Sequence, residues 1–354
     1  MKNDHSRKIY HRLTKPILAI TLGDPGGVGP EVIVKAFPHE AALDRSIPLV
    51  VGDARIVADA AARWAPAWSV AGIEGPEEAV TVGSQIIPVV DLSNCDPFLV
   101  KIGEVDPYSG NAAYEYVVHA ANLAMDRRIS AIVTAPLNKE SMRLAGHMYD
   151  GHTGLLGELT GSKKYFMVLG SDVLRVIHVS THVTLEEAVK RVKTDRIVDT
   201  IRAGHEHLKQ LGFEHPRIAV AGLNPHAGDG GQFGVEEAQE VAPAVEQARA
   251  EGIDATGPIS PDAVFRMAID GRYDIVVVLY HDQGHIPVKL VAFEEGVNVT
   301  VGLPIIRTSV DHGTGFDIAG QGVASEVNMI SALDYAYKMA TGDRGTGSAR
   351  PPVQ

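Results

Sequence analysis

Apolar residues along this chain follow two rhythms. Short β-branched runs at 17–22, 48–51, 131–134, 174–179, 217–221 and 274–280 predict buried strands. Between them, apolar residues return every three or four positions, predicting helices over 29–37, 111–128, 185–211, 235–251 and 261–270. The helix from Leu185 has a sharp start, with Thr184 as N-cap and Glu187 three residues on completing a capping box. Strands alternating with helices in this way predict an α/β protein whose parallel or mixed sheet is covered on both faces. No internal repeat or low-complexity linker interrupts the pattern, so any division into lobes arises by the chain folding back.

Several predicted strands run straight into loops rich in glycine or histidine: LGDPGGVGPE, TAPLNK, HVSTH, AGLNPHAGDGG and YHDQGH. Ligands of open α/β sheets collect beyond the carboxyl ends of strands, so this recurrence predicts one crevice assembled from many strand ends. Three histidines share that context: His182 in VSTH, His226 in LNPHAG and His281 in YHDQG. Neutral imidazole suits zinc and other divalent transition metals, and three protein ligands leave positions open for substrate oxygens. Their separations are long, and each taken singly reads better as a surface or hydrogen-bonded histidine; it is the shared strand-end context that favours ligands. His205 and His207 sit on the long polar helix and read as solvated, while His5 and His11 belong to the N-terminal arm.

Other motifs keep two readings each. GDPGGVGPE at 23–31 follows a strand and opens a helix, but it matches neither GxGxxG nor the P-loop. It is a phosphate cradle or a structural tight turn. His152 and Thr153, in a turn at DGHTG, offer donors for a phosphate or carboxylate; alternatively Thr153 caps a helix. Lys289, Asn298 and Arg307 follow His281 between apolar runs and suggest anion recognition, although surface ion pairs would explain the two cations as well. HGTGFDIAGQG at 312–322, with Asp317 in an apolar patch, is a ligand-facing loop or a tightly packed turn.

The chain has 354 residues, and its 32 basic against 44 acidic groups give a net charge of −12 with no offsetting basic run. A nucleic-acid partner is therefore disfavoured, while a local cationic pocket for an anionic substrate is not. The single cysteine, Cys95, excludes an intrachain disulfide and any cysteine metal cluster, and reads as a bystander. The N-terminal MKNDHSRKIYHRLTKP lacks the apolar core of a signal peptide, and no apolar run approaches a membrane span. A cytoplasmic location with no membrane partner is the expectation, and the tail RGTGSARPPVQ is expected to fray.

LGDPGGVGPE resembles the GDGIGPE segment of isocitrate and isopropylmalate dehydrogenases. HGTGFDIAGQG resembles their HGSAPDIAG loop, which binds the adenosine part of the nicotinamide cofactor. The set GDPGGVGPE, GHTG, THVTL, GLNPHAGDGG, GPISPD, YHDQGHIPVK, GVNVTVGLP and RTSVDHGT is closer still to the 4-hydroxythreonine-4-phosphate dehydrogenase family. It follows that family's order over about residues 17–335. The resemblance implies a two-lobed isopropylmalate dehydrogenase-like α/β/α sandwich with an interlobe cleft. Its cofactor-side lobe would be 15–145 plus 295–354, and its metal, substrate and dimerisation lobe 146–294. It implies that His182, His226 and His281 bind one divalent metal, Zn2+ first, with Mg2+, Mn2+ or Co2+ as alternatives. It further implies that His152, Thr153, Lys289, Asn298 and Arg307 contact substrate, and that His312, Gly313 and Asp317 face NAD or NADP. The implied assembly is a homodimer whose active sites draw metal ligands from both subunits.

Two departures bear on the substrate. HDQGLPVLK of the biosynthetic members becomes HDQGHIPVK, which gains His285, and their GHTEF becomes GHTGL, which puts Gly154 in place of an acid. Both resemble the branch acting on 4-phospho-D-threonate or 4-phospho-D-erythronate rather than 4-phosphooxy-L-threonine. The implied reaction is NAD-linked oxidation of a hydroxyl β to a carboxylate, followed by decarboxylation. Lys289 is the first candidate for proton transfer or carboxylate binding, and Asp262 or Asp282 for orienting a ligand or taking a proton. Arg307, His152 and Thr153 would fix the phosphate end. The alternatives are a cis-dihydrodiol dicarboxylate dehydrogenase of the same family, a phosphate acyltransferase-type enzyme, and a noncatalytic phosphometabolite sensor.

Overall fold

The computed structural model describes residues 15–39 and 45–344. The N-terminal arm with His5 and His11, and the tail beyond Arg344, lie outside the described residues. The chain divides into two compact units, Met1–Lys163 with Leu303–Thr341, and Lys164–Gly302 with Gly342–Gln354. The boundaries thus fall at 163/164 and 302/303, against the 145/146 and 294/295 expected from the sequence.

The first unit holds β1 (Ile17–Thr21), β2 (Ile47–Gly52), β3 (Ser69–Ile73), β4 (Ile86–Asp91), β5 (Ala131–Thr134) and β12 (Arg307–Val310). Their order is β3-β4-β2-β1-β5-β12, and every pair is parallel. Central strands such as LAIT in β1 and AIVT in β5 are buried throughout, as parallel strands covered on both faces must be. Helix Pro107–Met125 begins at Asp106, whose carboxylate accepts from the Tyr108 and Ser109 amides, with Pro107 at the first helical position. It approaches helix Lys139–Leu144 so closely that a Cβ on Gly110 would lie 2.2 Å from the Ser141 backbone.

The second unit holds β6 (Phe166–Gly170), β7 (Arg175–His178), β8 (Arg217–Ala221), β9 (Asp254–Ile259), β10 (Ile275–Val278) and β11 (Val297–Val301). The order is β11-β6-β7-β10-β8-β9, with β6 antiparallel to both its neighbours and the remaining pairs parallel. Val176, Val276 and Val278 meet Val264 of helix Pro261–Ile269 and Val288 of helix His281–Val291 in one core. Each such side chain, fully buried, contributes roughly 1.5–3 kcal/mol.

Several expectations change. The run 274–280 shortens to β10, and His281 opens a helix where a loop was expected. The predicted helix 185–211 is two helices, Leu185–Lys190 and Thr194–Gln210, because Lys193 between them is extended at φ −131° and ψ 140°. Thr184 caps the first as expected, but the Glu187 carboxylate turns forward to Arg191 at 2.8 Å. The stretch 235–251 opens with a π turn, Glu237–Val241, before helix Ala242–Ala250. His207 is buried rather than solvated. Strands β3, β4, β6, β9, β11 and β12 had no counterpart among the predicted runs. Cys95 is buried and desolvation pushes its thiol up to about 12, which makes it inert at neutral pH.

Candidate functional site

Strands β7, β10 and β8 are adjacent and parallel, so their carboxyl ends face the same way. His182, His281 and His226 follow those three ends in turn. His281 starts its helix immediately after Tyr280, which is still extended at φ −145° and ψ 165°. Its Nδ1 lies 2.6 Å from the Asp282 carboxylate. A carboxylate only accepts, so Nδ1 carries the hydrogen and the Nε2 lone pair is left for a metal. The His182 ring centroid stands 5.5 Å away. Two imidazoles sharing one tetrahedral ion have centroids roughly 5 Å apart, so this pair fits a divalent metal. Among the described residues, however, no three His, Cys, Asp or Glu side chains are gathered into a metal-holding group.

A second layer lies behind His281. His285, one helical turn on, stacks against it at 3.7 Å with the rings only 12° from parallel. His285 Nδ1 is 3.1 Å from His178 Nε2 and 3.1 Å from the His281 carbonyl. His178 Nδ1 in turn lies 3.1 Å from the Met167 carbonyl, to which it donates. Burial, and after it the neighbouring His285, push His178 down to about 3, so its ring is neutral and its Nε2 accepts the His285 N–H. Gly284 makes this possible, since a Cβ there would lie 2.8 Å from His178 Nε2. The residue that singled out the substrate branch in the sequence is therefore buried behind a candidate ligand.

His226 sits in a strained turn. His226, Ala227, Gly228, Asp229 and Gly230 all have positive φ, from 41° to 83°. For the three that are not glycine this conformation costs roughly 1–2 kcal/mol each, the kind of strain that clusters at functional sites. Buried Glu237 holds the turn: Oε1 accepts from the Leu223 and Asn224 amides at 2.8 and 2.7 Å, and Oε2 from Asn224 Nδ2 at 3.0 Å. Asp262, at the start of helix Pro261–Ile269, is held low first by the Ser260 hydroxyl and then by its own backbone amide.

The first unit brings His152, Thr153 and Arg307 into one candidate corner. Helix His152–Leu159 starts after Gly151 (φ 115°) with no side-chain cap, leaving its first amides without a local acceptor. Thr153 is inside the first turn and does not cap it. Arg307 is buried and donates to Thr134 Oγ1 at 2.8 Å, and burial pushes its guanidinium down to about 9. His152 Nε2 is shut off from solvent without a hydrogen-bond partner among the described residues. Desolvation, then Arg307, then Lys139, hold the His152 ring well below its usual range and therefore neutral. Gly154 beside it faces open space. Elsewhere in this unit, the 23–31 turn and the 312–322 loop lock together through Val28 N and the Thr314 carbonyl at 2.9 Å. His312, Gly313 and Asp317 are exposed, and nothing lies within 4 Å of a Cβ built on Gly313.

The substrate candidates are thus divided. His152, Thr153 and Arg307 belong to the first unit, Lys289 and Asn298 to the second. Lys289 Nζ lies 5.8 Å from the Phe293 ring centre. Asn298 Nδ2 points at Met167 Sδ, 3.4 Å away, while its Oδ1 is buried with no hydrogen-bond partner among the described residues. Sequence reasoning missed His178, Lys139, Glu237 and Gln283. Three of them carried a signal, His178 in HVSTH, Lys139 in TAPLNK and Gln283 in HDQG, all strand-end segments, whereas Glu237 stood in no such motif.

The model of the family described as pyridoxal phosphate biosynthetic protein PdxA matches residues 44–336. D-threonate 4-phosphate dehydrogenase from Pectobacterium atrosepticum is 46% identical over 325 residues, covering 92% of this chain and 99% of that protein. 4-Hydroxythreonine-4-phosphate dehydrogenase from Trichlorobacter lovleyi is 43% identical, covering 92% of this chain and 98% of its own. The crystal structure of 4-hydroxythreonine-4-phosphate dehydrogenase from Klebsiella pneumoniae superposes with a TM-score of 0.86 at 44% identity, covering 92% of this chain and 100% of that one. With a family model matching most of the chain, relatives 43–46% identical over nearly its whole length and a closely similar solved fold, this chain belongs to the PdxA family.

Proposed function

We propose that the protein is a metal-dependent, NAD-linked dehydrogenase that oxidises and decarboxylates a 4-phosphorylated 3-hydroxy acid. The observation that carries this reading is the trio of histidines leaving three adjacent parallel strand ends, one of them already held through Nδ1 by a carboxylate. The names of the relatives, dehydrogenases of D-threonate 4-phosphate and 4-hydroxythreonine-4-phosphate, support the substrate class.

His182, His226 and His281 would hold the divalent ion, Zn2+ by preference for an all-imidazole set. Such an ion would supply Lewis-acid polarisation of the substrate hydroxyl and of the charge left by loss of carbon dioxide, and a nicotinamide would supply the hydride acceptor. Asp282 orients His281, and Asp262 stands in the field of His226. Lys289 is the first candidate to take the hydroxyl proton or bind the carboxylate, on the same helix as His281. In the first unit, Arg307, Lys139, His152 and the uncapped helix amides favour the phosphate, an anion rich in acceptors. His312, Gly313 and Asp317 would face the cofactor.

Gly154 supports the phosphothreonate or phosphoerythronate branch. The acid found here in the biosynthetic members is absent, and glycine leaves open space instead. A homodimer with shared active sites belongs to the same reading, and the exposed apolar residues on helix His281–Val291 favour it. The deciding experiment follows reduced nicotinamide by absorbance with 4-phospho-D-threonate, 4-phospho-D-erythronate and 4-phosphooxy-L-threonine, with and without chelator. We expect turnover of the first two and its loss on metal removal. Turnover that survives complete chelation, or a folded His226→Ala variant with unchanged metal content, would sink the ligand assignment.

A further inference from the structure

We propose that Glu237 and Gln283 are positioning residues, a buried polar frame that sets the separation of His226 and His281. The inference rests on the reading above only in taking those two histidines to act together. The turn at 224–231 has a sparse backbone ladder, with Ala227 N on the Asn224 carbonyl and Phe233 N on the Gly228 carbonyl, both at 3.1 Å, and five of its consecutive residues are left-handed. Glu237 reinforces that ladder where the turn begins, with three donors from Leu223 and Asn224 on its two carboxylate oxygens at 2.7 to 3.0 Å. Close approach fixes the turn from both sides: a Cβ on Gly222 would lie 2.8 Å from Ala227 Cα, and one on Gly228 would lie 2.9 Å from Glu237 Oε2.

Gln283 then ties this turn to the neighbouring strand end. Its Oε1 accepts from the Leu279 amide at 2.7 Å, at the exit of β10, and its Nε2 donates to the Gly222 carbonyl at 2.7 Å, at the exit of β8. Both side chains are buried, at 4% and 7% exposure, so neither exchanges these bonds for water. An amide is required at 283, because one end must accept and the other donate. The two strand ends that launch His226 and His281 are therefore coupled through side chains that touch neither imidazole.

The test compares the full chain with its Glu237→Leu, Glu237→Gln and Gln283→Leu variants, reading Zn2+ affinity by calorimetry and metal-free amide hydrogen exchange across 224–231. Circular dichroism establishes that each variant is folded. Glu237→Leu should weaken Zn2+ binding by about tenfold or more and speed exchange in the turn, while Glu237→Gln, which keeps the Oε1 acceptor, recovers most of both. Gln283→Leu should weaken binding with smaller effects on exchange. Unchanged exchange in folded Glu237→Leu overturns the proposal, as does unchanged affinity in both leucine variants where His226→Ala lowers it. If His226→Ala itself leaves affinity unchanged, the metal assignment fails separately, and faster exchange in Glu237→Leu still upholds the role of Glu237 in the turn.

Discussion

His207 shows how a single side chain makes stability depend on pH. It lies 2% exposed on helix Thr194–Gln210, and desolvation, reinforced by Arg175, pushes it down to about 3 from an ordinary value of 6.5. The folded state therefore binds fewer protons than the unfolded chain between those values. The stability it contributes is complete above pH 6.5 and is lost as the pH falls toward 3. Below the unfolded value the slope from one such group approaches about 1.4 kcal/mol per pH unit. Replacing it as His207→Gln should flatten the dependence of unfolding free energy on pH between 6 and 4 by about that amount, measured by urea denaturation. Identical slopes in the two proteins would show that the ring is not held neutral. The sequence reading took His207 as solvated because it judged the helix by its polar composition. Its buried face runs Ile197, Ile201, Gly204 and Leu208, and the helical period places 207 beside 204 and 208. At the candidate site the reverse holds. Gly, His and Pro clustered at strand ends made His182, His226 and His281 visible, whereas Glu237 looked like any acidic residue on a polar helix.

Among the elements, helix His281–Val291 was the least legible, because Gly284 and Pro287 in HDQGHIPVK read as breakers. Gly284 is there for tertiary reasons. A Cβ on it would lie 2.8 Å from His178 Nε2, 2.8 Å from Val278 Cγ2 and 3.0 Å from Val176 Cγ2, all on strands buried in the core. None of these atoms is the free end of a flexible chain, so Gly284→Ala should destabilise by about 1–3 kcal/mol despite its better helix propensity. The midpoint of urea unfolding measures this, and a midpoint at or above that of the parent would contradict the geometry. The same substitution should disturb the His178–His285 contact and with it the stack on His281. The broken helix at Lys193 was unreadable for a related reason. Its residues propagate a helix locally, but Thr194 is tied instead to Glu240, with its amide and hydroxyl both 2.8 Å from Glu240 Oε2.

For the whole molecule, the alternation of strands and helices was enough to predict the α/β class, and the runs found were mostly central parallel strands. The antiparallel β6, with β7 and β11 on either side, was not legible, because strand pairing between distant segments leaves no local period. One surface feature bears on assembly. Ile286, Leu290 and Phe293 recur at intervals of four and three along helix His281–Val291 and just beyond it, and are 58%, 80% and 74% exposed. An apolar stripe of this kind on a chain with net charge −12 argues for a covering partner. A second copy is the simplest cover, since one patch then meets another related by a two-fold axis. Because the stripe shares its helix with His281, a copy docked there would stand next to the candidate ligands and make turnover depend on assembly. Light scattering of the parent protein should therefore report twice the 37.8 kDa chain mass. Leu290→Glu, which places a charge in the middle of the stripe and touches no candidate ligand, should shift the protein to a folded monomer with sharply reduced turnover. A parent protein that turns over substrate as a monomer, or a Leu290→Glu dimer of undiminished stability, would remove the stripe from the interface and leave all three histidines to be closed within one chain.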